Sequence, residues 1–286
     1  MLKVKPIYFE IRQGQFLGMK LLLFVDSPLL YFKNSAFVNA NHPETYSYYL
    51  LGHVKPYGWW YYFPVAFVLK ATPATLLVIA FSAVRSFTGF VNRRAEAILL
   101  SGAVFYVLVI CFGANDIGVR YLLPIFPLLL IWSSRIVPEF AKTRIGIVFL
   151  AGLLLSQAWS GLSSFPNYIP YFNEWAGGAA KGPDYLDDSN VDWGQGIKQA
   201  AQYVKERGLK NVVMWSFSPF DNPEYYGLPP NLPGKEALAR LLHKRPAPGV
   251  YIISAHAIAR MRLQDQAWQI YRPVARIGDS LWVYEF

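Results

Sequence analysis

Ile145-Gly-Ile-Val-Phe-Leu-Ala-Gly-Leu-Leu-Leu-Ser-Gln-Ala-Trp-Ser-Gly161, running into Leu162-Ser-Ser-Phe-Pro-Asn-Tyr-Ile-Pro170, is where the chain changes character. Up to Gly161 it consists of long apolar runs separated by basic turns. Beyond it come short strands and amphipathic helices of the kind found in water-soluble proteins. Charge divides at the same seam. Residues 1–161 carry 14 Lys and Arg against 6 Asp and Glu, a net +8, whereas residues 162–286 carry 13 against 12, a net +1. Excess Lys and Arg in an apolar half is the pattern of cytoplasmic turns and lipid-phosphate contacts in a membrane protein. Nucleic-acid binding would instead cluster the basic residues on a soluble face, so no nucleic-acid partner is expected.

Composition agrees. The hydrophobic fraction of 54% exceeds the roughly 45–50% usual for globular domains, and the aromatic fraction of 17% fits Trp and Tyr lining a membrane interface. A single cysteine, Cys111, lies inside an apolar run, so no disulfide forms within the chain. Lys3 and Lys5 precede only a short apolar core, Leu21–Val25, with Asp26 directly after it, which is not a clean signal peptide.

Ala97–Phe112, Tyr121–Val137 and Ile145–Gly161 each approach the ~20 residues a helix needs to cross the hydrocarbon core. A fourth run, Pro73–Val91, opens with Thr72 as N-cap and Pro73 at the first helical position. Arg85 interrupts it: either it snorkels to the cytoplasmic interface beside Arg93 and Arg94, the reading preferred here, or the embedded part begins earlier, near Phe63. The fold class expected is therefore a membrane α-helical bundle of about four transmembrane helices followed by a small soluble α/β domain. Gln15–Phe32 is a fifth candidate: a span, an interfacial helix or a re-entrant piece. Residues 1–72 then form an outer-face segment, 73–161 the transmembrane helices and 162–286 an extracytoplasmic α/β domain. The basic turns Arg85–Arg94 and Arg135–Arg144 orient the bundle with both on the cytoplasmic side. Gly113–Arg120 and everything after Gly161 then face outward.

On that outer side, three stretches mix aromatic residues with isolated polar groups: Tyr46–His53, Tyr57–Pro64 leading to Lys70, and Asn115–Tyr121. Trp59, Trp60, Tyr61 and Tyr62 read first as an interfacial aromatic belt. Lys70 and Arg120 run against the positive-inside bias, and charges at such depth commonly serve a pathway or an anionic ligand. The alternatives are a local ion pair, Arg120 with Asp116 for example, or snorkelling to headgroups.

In the second half, Asp192 and Gln195 form a capping-box pattern opening a helix to about Arg207, stopped by Gly208. Asn211–Ser216 and Gly249–Ser254 read as buried strands, Lys235–His243 and Ala255–Leu263 as helices, and Val274–Ile277 with Leu281–Glu285 as a hairpin around Gly278-Asp-Ser280. This order predicts a small α/β layer with a parallel core and an antiparallel edge. Asp188, Asn190 and Asp192 alternate like a calcium loop, but Gly194 is out of register and Gln199 replaces the bidentate Glu. Capping and turn formation account for them. No zinc spacing, nucleophile elbow or phosphate-binding glycine loop is present, so no metal is expected.

Taken together, Tyr49-Leu-Leu-Gly52, Gly58-Trp-Trp-Tyr-Tyr-Phe-Pro64 through Lys70 and Pro73, Gly118-Val-Arg-Tyr-Leu-Leu-Pro124, Tyr171-Phe-Asn-Glu174 with Gly177-Gly178, and Asp188-Ser-Asn-Val-Asp-Trp-Gly-Gln195 resemble the C-terminal half of bacterial polytopic glycosyltransferases. These are similar to the dolichyl-phosphate-mannose–protein mannosyltransferases of GT-C architecture. The resemblance implies an inner-membrane enzyme moving a sugar from a polyprenyl-phosphate carrier to an acceptor on the outer face. It also implies that Lys70 and Arg120 hold the donor's lipid phosphate, with Tyr121, His53 and Tyr62 nearby. The family's catalytic carboxylate lies in a first outer loop that nothing ahead of Tyr46 supplies. No catalytic residue is therefore identified, and a truncated or split enzyme with a separate N-terminal half is expected. The alternative is a non-catalytic membrane-anchored module whose α/β domain binds a partner or glycan. A transporter would show internal repeats and interrupted spans, and neither is evident.

Overall fold

The computed structural model describes residues 46–88, 93–217, 222–232, 234–242 and 245–286, and Ser47–Phe286 form one compact unit. The Gln15–Phe32 segment and His243 lie outside the described residues. A hairpin comes first, β1 (Tyr48–Leu50) and β2 (His53–Lys55), antiparallel with Leu50 opposite His53. Helices α1 (Tyr62–Lys70), α2 (Pro73–Thr88), α3 (Arg93–Gly113), α4 (Ile125–Ser133), α5 (Val137–Phe140) and α6 (Arg144–Ser163) follow. The remainder contains α7 (Gly182–Tyr185), α8 (Ile197–Glu206), β3 (Val212–Trp215), α9 (Gly234–Leu241), β4 (Val250–Ser254), α10 (Ala255–Gln264), α11 (Ala267–Ile270), β5 (Ala275–Ile277) and β6 (Leu281–Glu285).

Two of these helices are long and apolar enough to cross a membrane: α3 from Glu96 to Gly113, and α6. The pair α1 and α2, bent by 118°, makes a third only if it is one span. The bend follows from the sequence between them. Pro73 cannot continue α1 and biases the residue before it away from the helical region, and Ala71 is already extended. Thr72 then caps α2 as expected, its Oγ1 accepting from the Thr75 N–H at 3.2 Å.

The expected span Tyr121–Val137 is instead a string of short pieces: a 3-10 turn at Val119–Leu122, α4, a 3-10 turn at Ser134–Ile136, and α5. Pro138 has no N–H for the carbonyl of Ser134, so the α-helical ladder stops there. Arg85 pairs with Glu139, its Nε lying 2.7 Å from Glu139 Oε2. Arg135 pairs with Glu96 and also donates to the Ser82 carbonyl and Ser86 Oγ. These crossed ion pairs gather the two basic turns at one end of the helices.

Packing within the helices is thin. α4 lies on α2 and α3, and α2 lies on α6. The buried positions of α6 are Gly146, Leu153 and Ser160, a seam at heptad spacing. Gly146 is required at its start, since a Cβ there would collide with the Phe140 carbonyl. The opposite face, with Ile145, Val148, Leu154 and Leu162, is left exposed. Only 11% of the apolar window of α3 and 17% of that of α6 is buried inside the protein.

The second half forms a four-stranded sheet in the order β3-β4-β6-β5. The β3–β4 pair is parallel and the other two pairs are antiparallel, as the strand and helix order predicted. Both faces are covered, so β4 is apolar from Val250 to Ile253 and ends at the buried Ser254. Ile252 packs with Met214, Val283 and Ile197 of α8 on one face. Tyr251 and Ile253 pack with Trp268, Trp282 and Tyr284 on the other, within a core that continues to Phe63 and Ile110 of the helices.

Asn173 ties the bend to this second half. It is 1% exposed. Its Nδ2 donates to the carbonyls of Val68 at 2.6 Å and Ala71 at 2.8 Å, and its Oδ1 accepts from the Ala176 N–H at 2.9 Å. Those carbonyls are the ones a helix C-terminus leaves without intrahelical partners. An orphaned buried polar group costs about 1–3 kcal/mol. Asn173→Ala is therefore expected to destabilise the folded protein by about 2–4 kcal/mol, measured by thermal or denaturant unfolding in detergent. A loss under about 0.5 kcal/mol, within the scatter of ordinary surface substitutions, would show that water or other groups replace the side chain.

Candidate functional site

The Asp187–Asp192 stretch is the junction between the helices and the sheet. Asn190 is fully buried at its centre. The amide Oδ1 accepts from the Val119 N–H at 2.9 Å, and Nδ2 donates to Tyr62 Oη at 2.8 Å and the Asp187 carbonyl at 3.0 Å. Its own carbonyl accepts from Lys70 Nζ at 2.7 Å. One residue thereby fixes α1, the Gly118–Leu122 turn and the junction to one another.

The neighbouring carboxylates are also taken up structurally. Asp187 Oδ2 accepts from Arg260 Nε at 2.6 Å, and Arg260 Nη2 also holds the Ser47 carbonyl at 2.7 Å. Asp192 accepts from Ser254 Oγ at 2.5 Å and the Gly194 N–H at 2.9 Å. The expected capping box is not formed. α8 starts at Ile197 with Gly196 as N-cap, and Gln195 Oε1 accepts from the Trp193 N–H instead. Among the described residues no group of three or more His, Cys, Asp or Glu side chains is placed to hold a metal ion. His256 Nδ1 accepts from the Asp188 N–H at 3.0 Å, which puts the proton of its neutral form on Nε2.

Lys70 closes α1, and its ammonium meets carbonyls rather than a counter-ion. Nζ donates to Ile169 and Asn190 at 2.7 Å each and lies 4.3 Å from the centre of the Phe172 ring. An ammonium has three N–H donors, so one is left over. Lys70 borders a cavity of about 290 Å³ whose polar wall includes Thr72, Gln157, Ser160 and Tyr171. Thr75, Leu130 and Gln157 also border a second cavity of about 400 Å³ between α2, α4 and α6, lined further by Val78, Leu150 and Leu154. The two share Thr75, Leu130 and Gln157 as a common wall; the first is bordered by Lys70 and the second is almost wholly apolar. Gln157 marks the change: its Oε1 accepts from the Thr72 hydroxyl.

Arg120 stands apart from this cavity. It is exposed and lies over the rings of Trp193 at 4.9 Å and Tyr121 at 5.5 Å. The Arg120–Asp116 pair weighed from the sequence is not formed; Asp116 Oδ2 accepts from the Trp59 N–H at 2.6 Å. The Tyr121 ring packs edge-on to Phe63, and its carbonyl accepts from Tyr106 Oη. Tyr62 is fully buried and serves Asn190. His53 is exposed on β2, and no described group bonds its imidazole. Lys70 and Tyr62 thus share Asn190, Arg120 and Tyr121 lie in the turn that Asn190 holds, and His53 lies elsewhere on the hairpin. Sequence reasoning missed Asn190 as a hub and passed over Gln157, although a lone amide in an apolar run is a signal of function or of a polar partner.

No protein-family model, no curated protein and no solved structure matches this chain.

Asp116 is 6% exposed. Burial lifts its carboxyl to about 6, against the opposing effect of the Trp59 N–H bond. The contact is tight: at Gly58, whose φ is +65°, a Cβ would collide with Asp116 Oδ2. A raised pKa means that the folded state binds the proton more firmly than the unfolded state, whose value is 3.8. The stabilising contribution is full below 3.8 and is lost as pH rises to 6. Relative to Asp116→Asn, the wild-type protein is expected to lose on the order of 2–4 kcal/mol between pH 4 and 7, at about 1.4 kcal/mol per pKa unit. Parallel unfolding series of the two proteins across that range check it; parallel curves would refute the assignment.

Proposed function

We propose that this chain is a bacterial membrane glycosyltransferase or the C-terminal half of one. It would use a polyprenyl-phosphate sugar as donor and act on the outer face of the inner membrane. The observation that carries the reading is two cavities with a shared wall: an apolar slot between α2, α4 and α6, and beside it one bordered by Lys70, whose Nζ meets no carboxylate among the described residues. An isoprenoid phosphate has the same layout, a long apolar tail ending in a compact anion. The motif resemblance from Tyr49 to Gln195 supports the same class.

The membrane setting is supported by the side chains of α3 and α6, whose Phe105, Phe112, Leu154 and Leu155 are at least 70% exposed. Such surface is tolerated in lipid and invites aggregation in water. Orientation is supported by the crossed pairs Arg85–Glu139 and Arg135–Glu96, which bring the basic turns to one end, the cytoplasmic end by the positive-inside bias. The Lys70 cavity and the sheet then belong to the outer side.

In the reaction an acceptor hydroxyl attacks the anomeric carbon, the carbon–oxygen bond to phosphate breaks, and the polyprenyl phosphate departs with both electrons of that bond. Lys70 stabilises the charge gathering on that phosphate. Arg120, outside the cavity lining, adds a longer-range positive field. The hydroxyl proton passes to a general base, which by the family resemblance lies in an outer loop ahead of the motifs matched here. Binding of undecaprenyl phosphate to detergent-solubilised protein tests the reading. Lys70→Ala is expected to weaken it at least tenfold and Arg120→Ala about twofold, the latter effect shrinking with salt as exposed charges do. Failure of the wild-type protein to bind, or undiminished binding by Lys70→Ala, overturns it.

A further inference from the structure

A third cavity, of about 270 Å³, adjoins the Lys70 cavity and shares Ser164 and Tyr171 with it. Its chemistry is different. Trp159, Asn167, Glu174 and Asp279 line it, together with Phe172, the ring that carries the Lys70 ammonium. We propose that this cavity receives the sugar head group of the donor, with Glu174 and Asp279 accepting hydrogen bonds from its hydroxyls. The inference rests on the reading of the Lys70 cavity as a phosphate site.

The charged side chains lining this cavity are both carboxylates, which repel phosphate, so the cavity is not a second anion site. They are acceptors, as hydroxyl donors require. Asp279 accepts no hydrogen bond from any described group. Glu174 accepts from Ser160 Oγ at 2.8 Å and Tyr171 Oη at 3.4 Å, and each carboxylate oxygen keeps a further lone pair. Asn167 Oδ1 accepts from Gln199 Nε2 at 2.9 Å, which leaves both Nδ2 hydrogens to donate. Trp159 is 69% exposed and offers an indole face to the C–H side of a sugar ring. The volume equals about nine waters at roughly 30 Å³ each, the scale of one sugar ring.

The order of the three cavities carries the argument furthest. Apolar, cationic and acceptor-rich compartments succeed one another through shared walls, as tail, phosphate and sugar do in a polyprenyl-phosphate sugar. Asp279 enters from the β5–β6 turn at a φ of +57°, a conformation that short polar side chains adopt more readily than most. The far edge of the sheet thereby reaches the donor, which gives the second half of the chain a part in recognising it.

The test compares undecaprenyl phosphate with its mannosyl, glucosyl and galactosyl derivatives, using the whole chain in detergent. At least one sugar-loaded carrier is expected to bind the wild-type protein tenfold or more tightly than the bare carrier. Glu174→Gln combined with Asp279→Asn should abolish that preference and leave bare-carrier affinity within twofold. Trp159→Ala, on an exposed face where folding is not at risk, should reduce the preference at least threefold. Equal binding of bare and loaded carriers by wild type, or a preference that survives the substitutions, overturns the sugar site while sparing the phosphate reading. Absence of bare-carrier binding removes both.

Discussion

The rest of the structure depends on the buried amide of Asn190. Its Nδ2 donates to Tyr62 and the Asp187 carbonyl, its Oδ1 accepts from Val119, and its own carbonyl holds Lys70. A buried polar group is stabilising only when it is satisfied, and the same low dielectric that strengthens its bonds penalises their loss. The three segments that meet there come from distant parts of the chain. Their relative positions are therefore set by directional bonds at one point, with apolar contact around it. Asn173 acts in the same way a short distance off, joining the end of α1 to the start of the second half.

This polar hinge is needed because apolar packing between the helices is sparse. A helix such as α6, buried only along Gly146, Leu153 and Ser160, gains little from hydrophobic contact with its neighbours. In the proposed lipid setting there is no hydrophobic drive for helices to associate, and small residues and polar pairs take over. Gly146 against Phe140, Ser82 against Ser133 and the Arg135–Glu96 pair are of this kind. The sheet is held differently. It buries Trp268, Trp282 and Tyr284 together, and large aromatic area dominates such cores.

The cavities form where the two regimes meet. The apolar slot lies between α2, α4 and α6, and the cavity bordered by Lys70 shares Thr75, Leu130 and Gln157 with it. Lys70 itself sits at the end of α1, just before the 118° bend into α2.

The sequence by itself determined the local elements. Thr72 and Pro73 announced the start of α2, Gly208 the end of α8, and the apolar runs Asn211–Ser216 and Gly249–Ser254 the parallel strands, because capping, chain reversal and burial on both faces are written in residue type and spacing. It also singled out Lys70 and Arg120 as charges needing a reason. Only the tertiary structure decided what those residues do with one another. Asp192 looked like a helix cap and is bonded to Ser254, 62 positions away. Asp116 looked like a partner for Arg120 and is held by a backbone N–H. The run Tyr121–Val137 looked continuous and is broken into short helical pieces, with Pro138 at the last break. Gln157 carried no motif, and neither the Tyr171–Glu174 string nor the Gly278–Ser280 turn marked Glu174 and Asp279 as neighbours. Hydrogen bonds between distant segments leave no periodic trace in a chain, so the cavity they line became visible only once the helices and the sheet were brought together.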